Sequence, residues 1–451
     1  MKKCDILKAK NYDAIIIGFG KGGKTLAEFL GSIGKNVALV EKDKNMYGGT
    51  CINVGCIPTK ILVRESENDS DFKEAIEKKD TLVQKLRESN YNKLNSIKNV
   101  DIYTGIGAFE SEHLISVTEN QNEIILKANQ IFINTGSKVV IPKIDGIEKV
   151  RNIYTSTSIM ELKKLPQKLA IIGGGYIGLE FASIYSNFHS QVTIFEGNDD
   201  ILLKDEPEIR EEVKKDFKNR SIDILTKVKI LKLSNVSNNQ VEVLFNRDGS
   251  DERLIVDGIL IAAGRKANID DLKLENAGVN YSEKGILVNE VLQTNVPHIY
   301  ALGDVKGGPQ FTYISLDDFR IIKSNFLGNN TLTVESRKFI PYSVFISPTL
   351  SRVGMTENEA INAGYKVKTK SVTVSSIPRA KILEEEKGIL KAVIDEITGK
   401  ILGCSLYSVE SSEVINLITM AIEEGKTYHY LRDFIFTHPT MSESLNILFD
   451  F

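Results

Sequence analysis

Two cysteines carry the first chemical signal. The segment Gly48 to Lys60 reads GGTCINVGCIPTK, which places Cys51 and Cys56 five residues apart. A close thiol pair can ligate a metal, form a bridge or exchange electrons. The spacing is not the CxxC of a zinc ribbon, and the other two cysteines, Cys4 and Cys404, are isolated, so the ligands of a structural tetrahedral site are missing and no metal is expected. On an ideal α-helix, residues five apart have Cα atoms about 8.6 Å from one another. A disulfide needs less than about 7 Å. A bridged pair therefore requires a break in the helix, and Gly55 supplies the freedom for one. Pro58 suits the first turn of the helix that follows. A thiolate at that helix start would be stabilised and its pKa lowered. The alternative is two buried core cysteines with no redox role.

A reactive thiol needs a proton partner. The five histidines are His113, His189, His298, His429 and His438, the last in THPTMSES with Glu443 five residues on. Glu443 reaches the imidazole only if the chain turns between them, and Pro439 suits such a turn. On the residues alone, an incidental histidine near the end of the chain is the commoner reading.

The elements that must position these groups occur twice. Residues 13 to 41 run apolar strand (Ala14 to Ile17), glycines Gly18, Gly20 and Gly23, helical stretch, apolar strand (Val37 to Val40), then Glu41. Residues 168 to 196 repeat this plan with Gly173, Gly175, Gly178 and Glu196. The acid follows the first glycine by 23 residues each time (41 − 18 and 196 − 173). G-x-G-x-x-G between a strand and a helix, with an acid at the end of the next strand, is the dinucleotide fingerprint. The glycines give the tight turn, backbone approach to the pyrophosphate and close helix packing, and the acid takes a ribose hydroxyl. The helix start offers free N–H groups to the phosphates. Two such sites imply two nicotinamide dinucleotides, or one with a flavin dinucleotide. After Glu196 comes GNDDILLKDE, with no arginine for a 2′-phosphate and with Asp199 and Asp200 to repel one, so NADH is expected over NADPH. The strands IFINTG and ILIAAG end in turns at Gly136 and Gly264, and IYALGD ends at Asp304, a carboxylate suited to a ribityl chain or, alternatively, to capping a helix.

Composition agrees with such a protein. At roughly 150 residues per domain, 451 residues predict about three domains. The chain is 42% hydrophobic and carries a net charge of −3, which excludes a strongly basic nucleic-acid binder and a long disordered chain. The N-terminus, MKKCDILKAKNYD, lacks an apolar signal region, and no window is long and apolar enough for a membrane span. A cytoplasmic protein is expected, where a close cysteine pair is catalytic or metal-binding more often than structural.

Taken together, these motifs resemble the pyridine nucleotide–disulfide oxidoreductases, the group of dihydrolipoamide dehydrogenase, glutathione reductase and mercuric reductase. The resemblance spans the first fingerprint, GGTCINVGCIPTK, GGGYIGLE, ALGD and HPTMSE. It implies an α/β architecture of two Rossmann-like domains, for FAD and NAD, and a C-terminal α+β dimerisation domain. The implied boundaries are 10–150 and 276–335 for FAD, 151–275 for NAD and 336–451 for dimerisation. By position, Cys51 would be the thiol that meets substrate and Cys56 the thiol against the flavin. Lys60 and Glu180 match an ion pair near the reactive flavin nitrogen, and Tyr176 matches a tyrosine that gates the nicotinamide pocket. His438 and Glu443 match an acid–base dyad that reaches the other subunit's cysteines, which implies a homodimer. The resemblance also assigns cofactor contacts to Gly49, Thr50, Gly107, Thr135, Gly136, Gly264 and the run Gln310, Phe311, Thr312, Tyr313.

Within the family, Glu28 stands where glutathione reductases carry a substrate-binding arginine, and no cysteine follows Cys404 to relay mercury or thioredoxin electrons. The stretches IIIGFGKGGKTLA, GGPQFTYISLDDFRI and PYSVFISPTLSRVGMTE resemble the bacterial reactive-chlorine-resistance flavoproteins, a subgroup associated with reduction of hypothiocyanous acid and of copper(II). Phe311 and Tyr313 would then narrow the thiol site for a small oxidant, or simply be core aromatics. Lipoamide and other small disulfides remain rival substrates, and a redox-idle flavoprotein subunit is the rival of another class. The stretch from Asp71 to Ile97 reads as a charged helix with a solvated face.

Overall fold

The computed structural model describes residues 9–236, 239–329 and 331–451. Cys4 lies outside them. The chain divides into two compact units. The first gathers the described residues of Met1–Ile61, Ile76–Val140 and Gly264–Ser336, and the second Leu62–Ala75, Ile141–Ala263 and Arg337–Phe451.

In the first unit the strand Lys10–Ile17 lies parallel between Val37–Glu41 and Asn122–Ile133. Val100–Thr104 extends the sheet on one side and Ile299–Ala301 pairs with Asn122–Ile133 on the other. The apolar run Ala14, Ile15, Ile16, Ile17 is fully buried, as a strand covered on both faces must be. One face packs under the helices Lys21–Ser32 and Thr312–Phe326, through Leu26, Ala27, Leu30 and Ile322. The other face closes on Leu272, Val279 and Val305. This arrangement fixes the turn after Ile17 at the carboxyl ends of the parallel strands, where such sheets bind ligands.

The second unit holds a five-stranded sheet, all parallel, ordered Ile222–Leu225, Gln191–Phe195, Lys168–Ile172, Gly258–Ile261, Ile153–Thr155. It also holds a five-stranded antiparallel sheet, Tyr342–Val344, Leu350–Gly354, Ile401–Tyr407, Ile389–Asp395, Val367–Thr373, with the helix Ser411–Glu423 laid on it. Cys404 is buried in that sheet's core, and burial pushes its thiol pKa up, so it behaves as an apolar residue. A buried charge also needs partners: Lys391, 2% exposed, is met by Glu206 at 3.1 Å, Glu208 at 2.9 Å and Glu357 at 2.7 Å.

The charged stretch does form a helix, Phe72–Asn95. It is only partly a solvated face. Phe72, Ala75, Ile76, Val83 and Leu94 are buried, and two of its polar residues, Arg87 and Asn90, turn toward the loop that carries the cysteines.

Candidate active site

The helix is interrupted between the two cysteines, the break that a bridged pair needs, although both thiols are free here. Thr50–Asn53 forms one turn, Val54 and Gly55 break it, and Cys56 opens the helix Cys56–Glu67. Gly49 begins the segment at φ +81°, where a Cβ would meet the Cα of Gly20 at 2.6 Å. Only glycine lets the thiol loop lie this close to the first fingerprint. Asn53 braces the loop: its Nδ2 donates to the carbonyls of Tyr47 and Gly49, both at 3.0 Å, and Arg87 Nε donates to its Oδ1 at 2.8 Å.

Cys51 and Cys56 are both free thiols here, Cys51 half-buried and Cys56 exposed. They share a hydrogen bond that splits their acidities. It lowers Cys56 to about pKa 6, helped by the Thr312 hydroxyl and the charge of Lys60 against the cost of burial. The same bond, with burial, raises Cys51. Cys56, at its helix start, is therefore the more acidic thiol of the two. Thr312 Oγ1 sits 3.3 Å from Cys56 Sγ. Its neighbours Phe311 and Tyr313 stack with centroids 5.1 Å apart, and Tyr313 is 42% exposed, so they are not core aromatics. Gln310 is exposed beside them.

At the first fingerprint Gly18 has φ +110°, and a Cβ there would collide with the Asn134 carbonyl oxygen. Asn134 is the clamp of this turn. Its Oδ1 accepts from Gly23 N at 2.8 Å, and its Nδ2 donates to Leu302 O at 2.7 Å. A Cβ on Gly20 would lie 2.7 Å from the same Oδ1. Glu41 Oε2 accepts from Phe19 N at 2.9 Å, and burial raises its pKa. Asp304 caps no helix. It accepts from Ser137 Oγ at 2.8 Å, and burial raises its pKa too. Thr135 Oγ1 donates to Asn268 O at 2.7 Å, while Gly136 and Gly264 border open space. A Cβ on Gly107 would lie 3.2 Å from Val40 Cγ1 and 3.3 Å from Ile17 Cγ2. This cradle of backbone amides and two partly buried carboxylates fits a dinucleotide that carries a ribityl chain.

The second unit repeats the turn. Gly173 has φ +111° against the Ala262 carbonyl, and Gly178 packs on Gly173 O. Glu196 Oε2 accepts from Gly174 N at 2.7 Å, and its Oε1 accepts from Asn198 N at 2.8 Å and Nδ2 at 2.7 Å. Gly175 has no atom within 4 Å of its would-be Cβ. Tyr176 opens the helix Tyr176–Asn187 and stacks on Tyr342 with centroids 5.2 Å apart. The Tyr342 hydroxyl donates to Asp205 at 2.6 Å. Glu180, 8% exposed, accepts from Phe345 N at 2.9 Å. His438 Nδ1 lies 2.7 Å from Glu443 Oε2, with the histidine side chain 69% exposed and that of Glu443 20%. The structure thus brings together Cys51, Cys56 and Thr312 in one unit, with Lys60 one turn along the Cys56 helix. His438 pairs with Glu443 in the other unit.

Sequence reasoning missed Asn134, Ser137, Arg87 and Tyr342. Asn134 left a signal: a polar residue ends the strand IFINTG where the repeat, ILIAAG, has Ala262.

The family model for pyridine nucleotide-disulphide oxidoreductases matches residues 12–318, and the model for their dimerisation domain matches residues 340–448. The chain belongs to the pyridine nucleotide-disulphide oxidoreductases. Like its relatives it is a flavoprotein enzyme of FAD and a pyridine nucleotide, with two Rossmann-like sheets and a C-terminal domain of the dimerising kind. It is 44% identical to the probable pyridine nucleotide-disulfide oxidoreductase RclA of Escherichia coli, over 97% of this chain and 98% of that one. It is 32% identical to mercuric reductase of Staphylococcus aureus over 98% of this chain and 83% of that protein. Dihydrolipoyl dehydrogenase of Chlamydia pneumoniae is also 32% identical, over 96% of this chain and 95% of that one. Among solved structures, the copper(II) complex of HOCl-induced flavoprotein disulfide reductase RclA from Escherichia coli superposes with a TM-score of 0.95. That match has 43% identity and covers 98% of this chain and 99% of that one. Among the described residues, no helix is long and apolar enough to cross a membrane.

Proposed function

We propose that this oxidoreductase passes electrons from NADH through FAD to the Cys51–Cys56 pair and on to a small oxidant, hypothiocyanous acid. The observation that carries the reading is the pair itself: two free thiols on a broken helix, with Thr312 Oγ1 3.3 Å from Cys56 Sγ and the stacked Phe311 and Tyr313 on either side of Thr312 in the chain. When bound, the flavin supplies the two-electron relay between the nicotinamide and this pair. The first fingerprint, with Glu41, Gly49, Thr50, Thr135, Gly136, Asp304 and the run Gln310 to Tyr313, holds the FAD. The second, with Tyr176, Glu180 and Glu196, takes the nicotinamide dinucleotide. Lys60 would meet the flavin from the Cys56 helix of the first unit, and Glu180 would meet the nicotinamide in the second.

Cys51 is the attacking sulfur. The groups of its own unit leave it protonated, so it needs a base. His438 of a second copy, oriented by Glu443, supplies one in a homodimer. Cys51 bonds to the oxidant's sulfur as hydroxide leaves and takes a proton from His438. Cys56 then attacks Cys51 and expels thiocyanate, restoring the disulfide. NADH is favoured over NADPH because Glu196, held by Gly174 N and Asn198 N, would accept from a ribose hydroxyl and repel a 2′-phosphate. Cations that pair with the two acids after Glu196 are also committed: Arg210 and Lys214 to Asp200 at 3.4 and 3.1 Å, and Lys227 to Asp199 at 3.7 Å. The enzyme works in the cytoplasm. Its domains follow the order FAD (10–150), NAD (151–275), FAD (276–335) and dimerisation (336–451).

A second reading, copper(II) reduction, is favoured by the copper(II) complex of the RclA relative. NADH consumption by the purified enzyme against hypothiocyanous acid, lipoamide, glutathione disulfide and copper(II) decides between them. The fastest turnover is expected with hypothiocyanous acid and its loss in Cys51→Ser; turnover with lipoamide or copper(II) alone overturns the reading.

A further inference from the structure

Lys24 follows the third glycine of the first fingerprint, on the helix Lys21–Ser32. Its Nζ donates to Asn90 Oδ1 at 2.6 Å. Asn90 is fixed in that orientation, because its Nδ2 donates to Leu86 O at 2.7 Å. The Asn90 Cγ also lies 3.6 Å from where a Cβ on Gly48 would sit, at the start of the thiol loop. One turn earlier on the same helix, Arg87 holds Asn53 of that loop. The helix Phe72–Asn95 therefore ties both Lys24 and the thiol loop to one face, and that loop packs on the fingerprint one helical turn before Lys24, where a Cβ on Gly49 would meet the Gly20 Cα at 2.6 Å.

The partner of this ammonium is a neutral amide. The nearby carboxylate of Glu28 is taken by Lys93 at 2.7 Å. Burial, with Lys21 close by, lowers Lys24 to about pKa 8, against a small opposing effect of Cys51. A partly buried cation with no anionic partner among the described residues, beside a thiol loop that must release anions, is a seat for an anion.

We infer that Lys24, aimed by Asn90, is a specificity-determining residue that seats the anion exchanged at Cys51. It holds the oxyanion form of a small weak-acid oxidant before attack and the pseudohalide anion that leaves afterwards, and it repels metal cations. The inference rests on the reading of Cys51 as the thiol that meets the oxidant. In that scheme the proton of Cys51 passes through His438 to the oxyanion's oxygen, the Cys51–sulfur bond forms as the oxidant's sulfur–oxygen bond breaks, and the oxygen leaves as hydroxide. The Cys51–Cys56 bond then forms as the bond to thiocyanate breaks, its electron pair leaving on thiocyanate. Lys24 makes no covalent bond and keeps its proton throughout.

The test compares alkylation of Cys51 by iodoacetate, an anion, and iodoacetamide, its neutral analogue, in the NADH-reduced holoenzyme. Rates are read per bound flavin by peptide mass. Because iodoacetamide reports the intrinsic reactivity of the thiol, the ratio isolates anion recruitment from any general damage. In Lys24→Met the iodoacetate-to-iodoacetamide ratio should fall about tenfold, the size expected for losing one nearby charge in a partly solvated site. In Lys24→Arg it should be retained. Asn90→Leu should lower it in the same direction but less, and it carries the test if Lys24→Met does not fold. An unchanged ratio in Lys24→Met, or in Asn90→Leu where that variant carries the test, overturns the inference. If wild-type enzyme fails to reduce hypothiocyanous acid while the ratio still falls, the anion seat stands and the proposed oxidant is wrong. If the acid is reduced and the ratio does not move, the reverse holds.

Discussion

The chain builds the same glycine turn twice and encloses it differently. Gly18 and Gly173 share a left-handed backbone, at φ +110° and +111°, each pressed against a carbonyl of the neighbouring strand. Their acids, Glu41 and Glu196, each accept from the amide that follows the first glycine. The middle glycine is where the two part. Gly20 is hemmed in by Asn134 Oδ1 and by Gly49 of the thiol loop, whereas Gly175 faces open space. The first turn is locked by long-range partners and suits a resident flavin. The second stays open and suits a nucleotide that must come and go with each turnover. One motif thus serves retention or exchange according to what packs on its middle residue.

The largest effect that can break this comparison is Gly18→Ala. It adds a Cβ against a carbonyl in a conformation L-residues disfavour, a loss of about 3 kcal/mol or more. The protein should purify colourless, without flavin absorbance; a yellow, stable variant would refute the claim that the first turn is locked. Gly175→Ala should be different in kind. Its backbone, φ −75°, accepts alanine and nothing in the chain is near, so flavin content should be normal. The KM for NADH should rise about tenfold or more, which is about 1.4 kcal/mol of lost nucleotide binding. Asn134→Ala copies into the first turn the residue that the second already has in Ala262. It leaves Gly23 N and Leu302 O without their partner, a cost of about 1–3 kcal/mol. Thermal release of flavin should drop by several degrees, while KM for NADH stays put.

The smallest effect is a pH edge confined to the first site. Cys56 is lowered to about 6, so its thiolate persists above that pH and is protonated below it. Thiolate–flavin absorbance in the NADH-reduced enzyme should halve near pH 6 on acidification. An edge left near the ordinary thiol value would contradict the shared-proton picture.

Much of this was legible because it is local. Strand, glycines, helix, strand and acid fall within one stretch of chain, and both fingerprints could be read from it. The break between Cys51 and Cys56 followed from helix geometry and Gly55. The enclosing partners were not legible in the same way. Asn134 meets Gly23 across 111 residues, and Thr312 meets Cys56 across 256. No local pattern encodes such pairings. The charged stretch 71–97 misled for the same reason: its composition says solvated helix, yet Arg87 and Asn90 serve the thiol loop.

The central claim is that Cys51, the less acidic member of the pair, is the sulfur that attacks the oxidant, and Cys56 the one that resolves it. Cys56→Ser, reduced and treated with hypothiocyanous acid, removes the resolving thiol and should trap the intermediate. Peptide mass spectrometry should find one thiocyanate group bound to the sulfur of Cys51. Cys51→Ser treated in the same way should carry none. A thiocyanate group on Cys56 in Cys51→Ser, with Cys51 left unmodified in Cys56→Ser, would contradict the account.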